Sequence, residues 1–191
     1  MPPCAQAPGF CNAEARPGLA QKVADASAFI GGGLEIQLTS TGELKQFKAA
    51  FGNRAQHDFG SYKADFNVTD GHSKGSRSLR AAFATSKKRC TDVVRIPFTS
   101  FSNKWSSSTG EPTVRCTPEH KEVCPNAHAL ATIGSIGIWA EGHAGQFHLE
   151  LESISAYLGG APAPGPGPAP STPGIDLWTV KSNTPWRITN E

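Results

Sequence analysis

The strongest constraint on this chain is an alternation of period two that recurs along most of its length. Leu34, Ile36 and Leu38 alternate with Glu35, Gln37 and Thr39. Phe47, Ala49 and Phe51 alternate with Lys48 and Ala50, and Tyr62, Ala64, Phe66 and Val68 alternate with Ser61, Lys63, Asp65 and Asn67. Leu79, Ala81 and Phe83 follow, then Val94 and Ile96, then Ile136, Ile138 and Ala140. The last set is QFHLELESISAY, where Phe147, Leu149 and Leu151 share one parity. The phase then slips to Ile154 and Ala156, which predicts a bulge near Ser153. Successive strand residues point to opposite faces, so each set marks a strand with one buried face. About seven such strands with turn-rich spacers predict an all-β fold, an antiparallel jelly-roll-like β-sandwich. One segment breaks the pattern. In residues 19–30, LAQKVADASAFI, Leu19, Val23 and Ala26 roughly share a helix face, which fits a short N-terminal helix ended by Gly31-Gly32-Gly33.

Residues 1–18 are rich in Pro, Gly and Ala and read as an extended lead-in. The sandwich is expected over residues 19–158. Residues 159–174, GGAPAPGPGPAPSTPG, read as a stiff, solvated linker. Residues 175–191 are too few to bury a core of their own, so they read as a tail or the stub of a further module.

Hydrophobic residues make up 38% of the 191 residues and charged residues 18%, which suits a globular chain. The net charge is +2 with no basic stripe, so nucleic acid is not an expected partner. No apolar run approaches the ~18 residues that span a bilayer, so no transmembrane helix is expected. The opening MPPCAQAPGFCN has neither a charged leader nor an apolar targeting core.

Five cysteines are present. Cys4 with Cys11, and Cys116 with Cys124, look like local pairs in loops, although the connectivity cannot be deduced from spacing. Closing the loop from Cys116 to Cys124 stabilises by ~2.5 kcal/mol on the chain-entropy model. Loop disulfides fit an oxidising compartment. The sequon Asn67-Val68-Thr69 makes Asn67 a glycosylation candidate and points the same way, toward a secreted or luminal protein.

Several constellations invite a chemical reading. Gly71-His72-Ser73-Lys74-Gly75 matches the nucleophile elbow of serine hydrolases. That fold needs parallel strands with crossover helices, which the alternating pattern does not supply, so a hairpin turn is the better reading and no catalytic residue is assigned. Cys116, His120, Cys124 and His128 are spaced by four, which resembles a zinc ligand set. On one continuous helix the outer two would sit ~18 Å apart, and Pro118 and Pro125 oppose such a helix. A Cys116–Cys124 disulfide is preferred, and no metal or cofactor is expected. Gly31 to Gly33 lacks the residues that make a phosphate loop. Glu150 and Glu152 lie on one strand face, as solvated sheet carboxylates do. In the turn WAEGHAGQF, Trp139, Glu141 and His143 cluster, with Trp139 on the parity opposite to Ile136 and Ile138. An outward Trp either stacks on a sugar or a partner side chain, or packs beneath a loop.

In DVVRIPFTSFSNKW, residues 92–105, the run reads as a strand leaving a sheet. Val94 and Ile96 face the core, Pro97 sits where no ladder donor is needed, and Phe98 and Phe101 pack the turning chain. Trp105 opens the long cysteine-bearing spacer and is a candidate for ligand binding.

AAFAT (81–85) with VVRIPFTSF (93–101), TIGSIGIWAEG (132–142) and AGQFHLELESISAY (144–157) resemble, in order and spacing, the late strands of the complex I intermediate-associated protein 30 family domain. GGLEIQLTSTGELKQFKAAFG (32–52) and SYKADFNV (61–68) fit it more loosely, and RCTPEHKEVCPNAHALATI (115–133) resembles a microalgal variant. The resemblance implies a galactose-binding-like β-sandwich without catalytic activity. It also implies a mitochondrial setting, because the name-giving members assist assembly of respiratory complex I. The expected function is a non-catalytic domain that binds a protein partner or client as an assembly or folding factor. A carbohydrate-binding module, with a glycan as partner, is the second expectation, and a serine hydrolase using Ser73 is the third and least favoured.

Overall fold

The computed structural model describes residues 10–15, 23–41, 44–53, 62–68, 92–141, 148–159, 174–179 and 186–189. The described residues hold nine strands: β1 (Phe10–Ala15), β2 (Gly33–Thr41), β3 (Leu44–Asn53), β4 (Tyr62–Val68), β5 (Asp92–Pro97), β6 (Ile133–Glu141), β7 (His148–Tyr157), β8 (Gly174–Thr179) and β9 (Trp186–Thr189). One short helix, α1 (Ala127–Ala131), precedes β6. Strands β1, β6, β3 and β4 form one sheet in that order, and β5, β2, β7 and β8 form the other, with β9 also on β7. All the pairs are antiparallel.

The alternation locates the core. Leu34, Ile36 and Leu38 of β2 are fully buried. They join Phe47 and Phe51 of β3, Phe66 and Val68 of β4, Ile136 and Ile138 of β6, and Leu149, Leu151 and Ile154 of β7 in one cluster. Each such side chain contributes about 1.5–3 kcal/mol on burial, so no single strand accounts for the fold. Phe51 anchors one end. Its ring lies 5.2 Å from Tyr62, 5.1 Å from Phe101 and 6.0 Å from Phe98.

The phase slip in β7 is a bulge. Gln37 pairs with Ser153 and Leu38 with Leu151, which leaves Glu152 as the extra residue. The bulge restores Ile154 and Ala156 to the core face after Leu149 and Leu151. It also separates the two carboxylates that the sequence places on one face. Glu150 is buried beside Thr39, and Glu152 is exposed.

Residues 19–22 lie outside the described residues, and over 23–30 the expected helix is corrected. Residues 23–26 are irregular, and Ser27–Phe29 forms a single 3-10 turn. The backbone there is committed elsewhere: Ala26 donates to the Leu130 carbonyl at 3.1 Å, and the Asp25 carboxylate accepts from the Ser27 amide at 2.8 Å. The triple glycine does more than end a turn. A Cβ on Gly32 would lie 1.7 Å from the Tyr157 carbonyl oxygen, and one on Gly33 would lie 2.2 Å from that of Ile96. Only glycine lets β2 enter between β5 and β7.

The sandwich reaches beyond residues 19–158 at both ends. Within the lead-in, β1 pairs with β6. Beyond the linker, β8 and β9 lie successively along the edge of β7, and Leu177 joins the core. The final residues need no core of their own because they extend an existing sheet. The strand expected around Leu79–Phe83, the Gly71–Gly75 turn with Ser73, and the segment 160–173 lie outside the described residues.

Among the described strands β5 is an edge of its sheet, and Pro97 is its last residue. The chain then makes a 3-10 turn at Phe98–Ser100, buries Phe98 and Phe101, and crosses to the other sheet. There Ser102 exchanges two backbone hydrogen bonds with Lys63 of β4, each 3.0 Å. This is the strand exit that the sequence predicts, and its landing point creates the site described next.

A candidate binding cleft beneath a stapled loop

The outer face of the β1-β6-β3-β4 sheet is built from residues of the parity opposite to the core. Two rows cross it. Trp139, Lys48 and Asp65 are neighbours in one, and Gly137, Ala50 and Lys63 in the next. Ala50 and Gly137 are small, which leaves a trough for the Lys63 stem. Its ammonium lies 4.0 Å from the centre of the Trp139 ring and 3.8 Å from that of Trp105. Each contact of this kind contributes about 0.5–2 kcal/mol. Lys63 is 4% exposed and Trp139 is 7% exposed, so this outward face is covered.

Part of the cover is the segment that follows Ser102. The Ser102 hydroxyl donates to the Val114 carbonyl at 2.5 Å and accepts from the Lys104 amide at 3.0 Å. Trp105 bridges to Pro112, and Ser106 and Gly110 close the tip through a 2.8 Å backbone bond. Gly110 has φ of 66°, the left-handed region that favours glycine. Glu111 then reaches down to Lys48, whose ammonium lies 3.1 Å from Glu111 Oε1 and 2.5 Å from Asp65 Oδ1. Burial pulls the Lys48 pKa down, but the hydrogen bonds and charges of Asp65 and Glu111 outweigh it and hold the ammonium above its ordinary value.

The far side of the segment is held by the Cys116–Cys124 disulfide, with Cα atoms 4.9 Å apart. A 3-10 turn at Lys121–Val123 buries Val123, whose carbonyl accepts from the Asn103 amide at 3.1 Å. Asn126 caps α1 by accepting from the Ala129 amide at 2.9 Å. The two cysteines of the zinc-like spacing are thus bonded to each other, and among the described residues no group of His, Cys, Asp and Glu converges on a metal site. Cys4, the Cys11 side chain and Cys90 lie outside the described residues.

Between β4 and the stapled segment lies a cleft of about 310 Å³. Lys63, Asp65, Trp105 and Arg115 line it, together with hydroxyl-bearing Ser100 and Thr117. Arg115 is exposed and makes no hydrogen bond or ion pair among the described residues.

Of the candidate residues read from the sequence, Trp105 lines this cleft. Trp139 is brought close to it, is 7% exposed and lies beneath the Lys63 ammonium. The Glu141 side chain and His143 lie outside the described residues. Asn67 is exposed on β4, whereas Thr69 of its sequon is not described. Sequence reasoning missed Lys48, Lys63, Asp65, Glu111 and Arg115. Outward lysines on a strand ordinarily read as a solvated face, and only the small Ala50 and Gly137 beside them hinted at a covered one.

Comparison with family models, curated proteins and solved structures found no match.

Proposed function

We propose that this chain is a non-catalytic binding domain whose recognition site is the cleft between β4 and the stapled segment. The observation that carries the reading is a concave site with an aromatic wall, an exposed guanidinium and hydroxyls, fixed by a disulfide and by the Glu111–Lys48 pair. Its volume is at the lower end of the range for sites that take compact ligands, about 300–1,000 Å³. That size and the Trp105 wall favour a sugar, which supports a carbohydrate-binding module.

The resemblance to the complex I intermediate-associated protein 30 family supports a second form of the reading, an assembly or folding factor that binds a protein partner or client. A glycan array probed with the wild type and Trp105→Ala separates the two. Saccharide binding that the substitution abolishes supports the sugar form. A flat array, with capture of a membrane-complex subunit or a folding client, moves the function to the protein form. A flat array with no captured client refutes both.

A further inference from the structure

Within the carbohydrate form of that reading, we infer that the cleft selects an acidic sugar, with Arg115 receiving the carboxylate of a uronic acid. The inference begins with charge. Among the described residues five ionisable side chains meet in and around the cleft: Lys48, Lys63 and Arg115 are cationic, Asp65 and Glu111 anionic. Both carboxylates are held by one ammonium, that of Lys48. Asp65 faces the cleft with its charge already met, so it repels an incoming anion weakly. The Lys63 ammonium is held in the wall over two indoles, so it is not free to swing out to a ligand.

Arg115 is the cation left to meet a ligand. Its guanidinium presents a planar fork of donors that matches a carboxylate in bidentate geometry, which a lysine cannot do. Arg115 immediately precedes Cys116, so the disulfide fixes the backbone from which it projects. The remaining lining distinguishes a sugar acid from a bare aliphatic acid. The Ser100 and Thr117 hydroxyls can donate to and accept from ring hydroxyls, and Trp105 with Pro112 supplies an apolar wall. A neutral sugar would use the wall and the hydroxyls but leave Arg115 without its partner.

The test is isothermal titration calorimetry at pH 7 with α-1,4-linked digalacturonic acid, its neutral counterpart α-1,4-linked digalactose, and a hexaglutamate peptide. The expected result is binding of the acidic disaccharide at least about tenfold tighter than the neutral one. Arg115→Gln is expected to erase that preference while leaving the melting temperature unchanged, and Lys104→Gln, an exposed cation outside the cleft, to leave binding intact. Equal affinity for the two disaccharides overturns the acidic-sugar inference and leaves the sugar reading standing. Binding of hexaglutamate alone overturns both in favour of an acidic protein partner. Absence of binding by all three overturns both as well. Loss of binding in Lys104→Gln to the same degree as in Arg115→Gln shows general charge attraction and overturns the assignment to Arg115.

Discussion

Replacing Cys116 and Cys124 together by serine tests whether the loop over the outer sheet face depends on its staple. The cysteines are 8 residues apart, so the bond closes a short ring. Chain entropy assigns such a ring about 2.5 kcal/mol, because the unfolded chain regains only a small loop's freedom when the bond is absent. For a chain of this size, about 2–4 °C of melting temperature accompanies each kcal/mol, so the double variant should melt about 5–10 °C lower. Serine substitution is preferable to a reductant because the chain has five cysteines. The assay is calorimetric melting at pH 7, with urea unfolding to show that the slope is unchanged. The cleft should also weaken, since Arg115 and Thr117 flank Cys116. A double variant that melts within about 1 °C of the wild type refutes the reasoning, because the staple then constrains nothing that unfolding releases.

Three further outcomes follow from the packing. Gly32→Ala places a Cβ 1.7 Å from a backbone oxygen and should cost about 3 kcal/mol or more in denaturant unfolding, whereas Gly31→Ala, with nothing within 4 Å, should stay within about 0.5 kcal/mol. Phe51→Ala should cost about 3–5 kcal/mol in the same assay, because it opens a cavity among three aromatic rings. Lys48→Met keeps the apolar stem and removes the ammonium. Asp65 and Glu111 are 41% and 56% exposed and can hydrate, so the cost should be only about 1 kcal/mol. Its pH dependence has a definite sign. The folded pKa of Lys48 lies above the ordinary 10.5, so the contribution is fully present below that value and is lost as pH rises through the folded pKa. Urea midpoints of wild type and variant should therefore differ by a constant amount from neutral pH to about pH 10 and converge above it.

The two sheets were legible because alternation is a local property that burial enforces. Leu34, Ile36 and Leu38 announce a core face whatever lies opposite them. The bulge was legible for the same reason, since a strand cannot change phase without an extra residue. Strand β8 carries a short alternation, with Ile175 and Leu177 against Asp176, but a few residues after a Pro/Gly segment read more readily as a tail than as strands borrowing a neighbour's edge. Over its described part, 23–30, the expected helix gave way where a tertiary bond from Ala26 to Leu130 claimed its backbone. The site was half legible. Trp105 and Trp139 were singled out, but the lysine between them was not, because that contact depends on sheet register and on where a long loop lands. Neither is written in the spacing of the residues involved.

The central claim is that the cleft between β4 and the stapled segment is where this chain binds its ligand. The most direct measurement follows the indole N–H resonances of the four tryptophans by NMR during titration with digalacturonic acid, with the Trp105 signal assigned through Trp105→Phe. The account predicts that the Trp105 resonance and the backbone amides of Arg115 and Thr117 shift together along one saturating curve. Saturable binding that leaves those signals in place and moves others would contradict it.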